Sequence, residues 1–181
     1  LVVIFQPELR RFLEGIGANK LLNFSTKHSF STTAIQHILK AVDLLQEKKL
    51  GGLIVIEQNS SLDAYLGSGV ELNAELSVEL LGSLFWRNSP THDGAVIVRK
   101  NRVLAAGCLL PLSSSQSKTR WGTRHLAGLG LSELSDAFVI IVSEETQEIA
   151  IAKHQQLFEK QSKEDVESEL FNVYKKGKLG V

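Results

Sequence analysis

The chain has no methionine, a single cysteine and no net charge, and each lack narrows what it can be. One cysteine cannot close an intrachain disulfide. Its setting, Ala105-Ala106-Gly107-Cys108-Leu109-Leu110, reads as a small buried core residue and not as a reactive thiol. Twenty Lys and Arg balance twenty Asp and Glu, so no global field draws the protein to nucleic acid or anionic lipid, and phosphate binding must come from local placement. That argues against a DNA-binding role. No run of about 18 consecutive apolar residues and no secretory pattern occurs, so the expectation is a soluble, intracellular chain. The missing methionine carries the further expectation that the chain is a fragment of a longer protein.

What is present fits one domain: 181 residues, of which 43% are hydrophobic, enough for a substantial core. Pro7 with Leu9, Phe12, Leu13 and Ile16 predicts a short first helix. Ser31, Thr32 or Thr33 is a candidate cap for a second, in which Ile35, Ile38, Leu39, Val42 and Leu45 form one apolar stripe that stops at Gly51-Gly52. Leu53-Ile54-Val55-Ile56 then reads as a strand covered on both faces, and helix followed by buried strand predicts α/β layering. A helical turn over 61–66, a break at Gly67-Ser68-Gly69 and a helix from Ser77 ended by Asn88 and Pro90 come next. Runs 95–99 and 102–110 predict a hairpin turning at Lys100-Asn101. Ser113 to Lys118 is a polar, small-residue stretch expected to be a mobile surface loop able to act as a lid. Leu126, Leu129 and Leu131 suggest a short helix to about Asp136. Phe138 to Val142 is a second buried strand, paired with 148–152, and Ser162 with Asp165 opens a final helix running to Gly177. No repeat of fixed period is visible.

Two short motifs carry the chemistry. His92-Asp93-Gly94-Ala95 puts a carboxylate beside a glycine at the mouth of a strand, where it can hold a metal or a ribose hydroxyl. Gly122-Thr123-Arg124-His125 sets a hydroxyl, a guanidinium and an imidazole in succession, donors suited to phosphate oxygens. Each is weak alone. Asp-Gly is among the commonest turn pairs, and an arginine beside Gly-Thr can simply meet a surface carboxylate. Their joint position at strand ends and a helix start, where α/β folds place ligands, is what points to a site. His28, His37 and His154 have no second ligand at metal spacing and read as surface or helix residues. Trp86 and Trp121 read as packing anchors.

These motifs and their neighbours resemble the successive blocks of the diadenylate cyclase domain. The blocks are His92 to Val98, Ala106 to Ser113, Gly122 to His125, Leu131-Ser132-Glu133, Ser135-Asp136-Ala137 and Val142-Ser143-Glu144-Glu145-Thr146, in matching order and spacing. The opening Val3 to Arg11 is similar to the segment that follows the membrane helices in the membrane-anchored, CdaA or DacA type, subgroup. The resemblance covers roughly 1–160, implied to be the catalytic domain, with 161–181 a C-terminal helix and tail of the same domain. It implies a single α/β domain with a central mixed β-sheet flanked by helices. It also implies condensation of two ATP into cyclic di-AMP with release of two pyrophosphates, dependent on Mg²⁺ or Mn²⁺. By resemblance Asp93 would bind the metal and help activate the ribose 3′-hydroxyl. Gly94 and Ala95 would permit close nucleotide approach. Gly122, Thr123, Arg124 and His125 would hold phosphate, Leu110 would line the adenine pocket, and Ser143 and Glu145 would lie near nucleotide and metal. His92 would either reach the metal or only orient the loop. The product requires each ATP to present its 3′-hydroxyl to the other's α-phosphate, so subunits would meet face to face as a homodimer. Regulatory protein partners, no nucleic acid, and a place on the cytosolic face of the cell membrane through a missing N-terminal segment complete that expectation.

The chain departs from the family pattern at three positions. Leu126 stands where Arg-His-Arg would have its second arginine, and an apolar side chain cannot replace that cation. Losing a phosphate contact costs on the order of 1–3 kcal/mol, roughly ten- to a hundredfold in rate. Leu109 replaces an aromatic on the adenine side, and Gln147 replaces the glycine after Glu-Glu-Thr. Leu126 therefore motivates a rival reading, a catalytically weak relative that binds ATP or cyclic di-AMP and acts through partner contacts. A nucleotidyltransferase making a linear product, with no need of a two-fold dimer, is the third.

Overall fold

The computed structural model describes residues 31–114 and 121–179. The expected helix at Pro7, the opening Val3 to Arg11 segment, His28 and most of the 113–118 loop lie outside them. Helix α1 (Thr32–Glu47) starts where a β-region Ser31 accepts the Ala34 N–H at 3.1 Å, and it buries Ile35, Ile38, Leu39, Val42 and Leu45. Strand β1 (Gly52–Ile56) follows, buried at every position. Helix α2 (Asp63–Leu66), strand β2 (Val70–Glu75) and helix α3 (Val78–Leu84) come next; Ser77 caps α3 through the Leu80 N–H. α3 stops at Leu84, short of the expected Asn88, with Phe85 folded into the core. Strands β3 (Ala95–Arg99) and β4 (Arg102–Cys108) form the predicted hairpin, and Lys100 adopts φ +56 in its turn. Helix α4 (Thr123–Leu134), strands β5 (Phe138–Val142), β6 (Ile149–Lys153) and β7 (Gln156–Gln161), and helix α5 (Lys163–Leu179) complete the chain.

The seven strands form one mixed sheet in the order β2-β4-β3-β1-β5-β6-β7. Among the described residues only β1 and β3 pair in parallel; every other pair is antiparallel. Alternating side chains of the central strands feed two cores. On one face Ile54, Ile56, Val96, Val98, Phe138 and Ile140 meet α1, α3 and the Val166 and Leu170 stripe of α5. On the other, Val55, Ile97, Val139 and Ile141 meet Ala127 and Leu131 of α4, with Leu62 beside them. Burying each such Leu, Ile or Val contributes roughly 1.5–3 kcal/mol, so these two sandwiched faces carry the fold. α4 lies very close to the sheet. A Cβ on Gly128 would stand 3.0 Å from Ile141 Cδ1, and one on Gly130 only 2.2 Å from the Pro111 carbonyl.

The Gly-Thr-Arg-His motif lies at a helix start as expected, with Thr123, Arg124 and His125 forming the first turn of α4. Trp86 is no packing anchor, being 51% exposed. β2 and β7 were not legible as strands.

Candidate functional site

Strand registers gather the chemical residues on one edge of the sheet. Because Ile54 pairs with Val96 in parallel, Asp93 and Gly94 lead into β3 level with Gly51-Gly52 leading into β1. Gly52 faces Val142, so Ser143, Glu144 and Glu145 leave β5 at that same edge, where Glu148 leads into β6. Ala95 faces Cys108, so Leu109 and Leu110 leave β4 there too. Gly94 and Gly107 permit this arrangement. Gly94 has φ +130 and Gly107 φ +68, and a Cβ on Gly94 would sit 2.5 Å from the Gly107 carbonyl carbon.

A cavity of about 920 Å³ opens over the β5–β6 end of this edge. Gly122, Thr123, Arg124 and His125 of α4 line one wall, and Ser143, Glu144 and Glu145 line the floor. The Arg124 guanidinium donates to Glu144 Oε2 at 3.1 Å, and its Nε is buried without a partner. It occupies space that only a glycine leaves open, since a Cβ on Gly51 would fall 2.3 Å from Arg124 Nη1. Gly122 offers no side-chain cap to α4, so the positive end of that helix opens on the cavity with polar side chains suited to anions. Gln147 adopts φ +59, a left-handed turn conformation that a glycine would make freely.

Burial holds the His125 imidazole below its usual pKa; Glu159 and Glu148 push it up, and Arg124 pushes it down. The unfolded chain takes up this proton more readily, so stability is lost as pH falls below the ordinary histidine value. His125 is accordingly neutral at pH 7. A polyphosphate beside it would raise that pKa, so ligand binding near pH 6.5 is expected to take up a fraction of a proton. Calorimetric titration in two buffers of different ionisation enthalpy reads that uptake, and His125→Gln should lose it.

His92 and Asp93 lie outside this cavity. The His92 Nδ1 lies 2.6 Å from the Ser89 carbonyl oxygen, an acceptor only, so Nδ1 donates there and Nε2 is the ring nitrogen left open. Asp93 is exposed. A carboxylate beside a tautomer-fixed imidazole is a donor set that fits a hard divalent cation, which takes few protein ligands and completes its shell with water and phosphate. Among the described residues no cluster of three or more His, Cys, Asp or Glu side chains is poised for a metal.

The structure thus brings together Gly122, Thr123, Arg124, His125, Ser143 and Glu145, and places His92, Asp93, Gly94 and Leu110 further along the same edge. Ala95 is fully buried, so its part is packing. Leu110 is half-buried against the second core, whereas Leu109 is 70% exposed. Cys108 is buried, which pushes its thiol pKa up to about 11. Sequence reasoning missed Gly51, Glu144, Glu148, Glu159, Lys160 and Arg87. Glu144 stood inside a quoted block, and Gly51 was read only as a helix stop; the β7 pair had no signal.

Comparison with known proteins gives a consistent result. The family model described as DAC, DisA bacterial checkpoint controller nucleotide-binding, matches residues 39–157. The cyclic di-AMP synthase CdaA of Bacillus subtilis is 41% identical over 176 residues, covering 93% of this chain and 64% of that protein. A diadenylate cyclase of Listeria monocytogenes is 39% identical over 172 residues, covering 92% of this chain and 62% of its own length. The chain therefore spans just under two thirds of these relatives. Among solved structures, a double mutant of DacA from Staphylococcus aureus superposes with a TM-score of 0.76 at 39% identity, over 78% of this chain and 95% of that one. A hypothetical membrane spanning protein from Bacillus cereus gives 0.69 at 41% identity, over 72% of this chain and 65% of that one. By family match, sequence identity and fold, the chain belongs to the diadenylate cyclase (DAC) domain family.

Proposed function

We propose that the protein condenses two ATP into cyclic di-AMP and two pyrophosphates, at a face-to-face homodimer that uses Mg²⁺ or Mn²⁺. The observation that carries this reading is one sheet edge that has Asp93 leading into β3 and, at β5 and α4, a cavity where Arg87, Thr123, Arg124, His125 and Lys160 stand among Glu144, Glu145, Glu148 and Glu159. The two meet at β1, where Arg124 reaches over Gly51, one strand spacing of about 5 Å from the lead into β3. A nucleotide laid along the edge puts its base toward Leu110, its ribose toward Asp93 and its phosphates in the cavity. In the reaction the 3′-oxygen bonds to the α-phosphorus of the second ATP, the bond to the β-phosphate bridge breaks, and pyrophosphate leaves with the electron pair. Asp93 would steer the hydroxyl proton away. Thr123, Arg124 and neutral His125 would steady the charge that moves onto pyrophosphate, and Ser143 and Glu145 would border the same phosphates. His92 Nε2 and Asp93 would hold the cation, which supplies charge neutralisation and a lowered hydroxyl pKa. The two-fold axis follows from the product, because each 3′-hydroxyl must reach the other subunit's nucleotide.

The same reading assigns residues 1–160 to the catalytic unit and 161–181 to a C-terminal helix and tail of one domain, supported by Val166 and Leu170 in the shared core. It places the protein at the cytosolic face of a membrane, anchored by a segment beyond this sequence, as the name of the Bacillus cereus relative suggests. Among the described residues no helix is long and apolar enough to cross a membrane. Regulatory protein partners belong to this proposal and nucleic acid does not.

The test is incubation with ATP and Mn²⁺ or Mg²⁺, with products separated by chromatography and identified by mass. Cyclic di-AMP with pyrophosphate is expected; a linear dinucleotide would overturn the reading. Leu126 favours a second reading, a binding-only relative, and Leu126→Arg separates the two. Leu126 does not line the cavity; its carbonyl accepts the Ser113 N–H at 3.0 Å, on the side of α4 that meets the chain after β4. An arginine there would add a cation between the two halves of the edge. Turnover is expected to rise roughly ten- to a hundredfold. ATP binding without product in both proteins would support the binding-only relative.

A further inference from the structure

Strand β7 supplies the cavity with a lysine that no motif signals. We propose that Lys160 is a phosphate-positioning residue that holds the terminal phosphates of the bound nucleoside triphosphate from strand β7. The inference deepens the ATP-consuming reading and rests on it for the nature of the substrate.

The backbone is built to aim this side chain. Pairing between β6 and β7 runs from Ile149 opposite Gln161 to Ile151 opposite Phe158, so Glu159 and Lys160 together face the single residue Ala150. That is a β-bulge, a device that redirects side chains beside sites. Lys160 itself adopts φ +54, a left-handed conformation that costs a non-glycine residue about 1–2 kcal/mol. Both bulge residues line the cavity. The strain is spent where the strand meets the site.

Its charge is available. Lys160 Nζ stands 3.7 Å from Glu148, with the two side chains 65% and 47% exposed; such a pair is worth about 0–1 kcal/mol and yields readily to a polyanion. The lysine at the other end of the hairpin is committed elsewhere: Lys153 is 2.6 Å from Glu169 and lies over the Phe158 ring. On the α4 side, Arg124 is the one permanent positive charge of the first turn, beside the titratable His125 and apolar Leu126. Arg87 shares Glu144 with Arg124 on that side. Lys160 adds a cation from β7, a second element of the cavity, beside Glu148 and Glu159.

The experiment compares the native chain, Lys160→Gln and Lys160→Arg for binding of inorganic tripolyphosphate and of AMP by calorimetry, alongside KM and kcat for ATP. Lys160→Gln should bind tripolyphosphate roughly five- to twentyfold more weakly with AMP affinity changed less than twofold. Lys160→Arg should recover most of the loss, and any turnover should show a raised KM with kcat nearly kept. Equal losses for both ligands, no loss for tripolyphosphate, or a native chain that does not bind tripolyphosphate would each overturn the assignment. A selective tripolyphosphate loss in a protein that makes no cyclic product would leave Lys160 standing and remove cyclisation instead.

Discussion

Asp93→Asn is expected to abolish cyclic di-AMP formation, by roughly a thousandfold or more, while leaving the fold and ATP binding in place. The carboxylate leads into β3, exposed, with no side-chain hydrogen bond or ion pair among the described residues. It therefore contributes little to stability, and an isosteric amide that also favours turns should move the melting temperature by no more than about 1–2 °C. Chemistry is another matter. An amide cannot take the hydroxyl proton, and it is a poor substitute for a carboxylate on a hard cation; losses of roughly 10² to 10⁴ are typical when such a group is removed. Arg124, Thr123 and His125 stand on α4 and not on the loop that carries Asp93, so the triphosphate should still be held. Product assay and ATP titration on one protein sample decide the matter. A variant that cyclises at more than a tenth of the native rate would remove Asp93 from the reaction.

Gly94→Ala should cost the fold about 3–5 kcal/mol, a loss of roughly 6–15 °C in melting temperature for a chain of this size. Two independent penalties meet at this position. A φ of +130 is closed to L side chains, and the new Cβ would lie 2.5, 2.8 and 2.9 Å from the carbonyl carbon, Cα and oxygen of Gly107. Those atoms are backbone in a central antiparallel pair, so they cannot swing aside as the end of a lysine could. Gly67→Ala is the control, because its Cβ would meet nothing within 4 Å. A Gly94→Ala protein that melts within 2 °C of the native one would mean that the close passage of β3 and β4 is wrong.

What could be read in advance follows the strength of local signals. Ser31 before an apolar stripe, the β-branched runs of β1 and β5, and the 95–108 hairpin all carry periodicity or turn chemistry of their own, and the structure has them where expected. β2 and β7 lie at the two sheet edges, where polar residues are tolerated on both faces, so neither VELNAE nor QLFEKQ alternates legibly. The turn into β7 hides as well: His154 and Gln155 both take positive φ, a conformation normally advertised by Asn-Gly. The bulge that turns Glu159 and Lys160 into the cavity was lost with the strand. Asp93, Arg124 and His125 were legible as residues. Their separation along the edge was not, because it depends on the crossover order β4-β3-β1-β5, which no local pattern contains.

α4 is seated with almost no clearance, Gly128 against Ile141 and Gly130 against the chain after β4. The helix that offers donors to an anion is also a wall of the hydrophobic interior, so the two duties cannot be tuned apart. A polyanion that grips its first turn adds its binding free energy to the folded state, and occupancy and heat resistance must climb together. Conversely, a change that loosens the packing of Val139 or Ile141 will register at the cavity as weakened affinity, far from any residue a ligand touches.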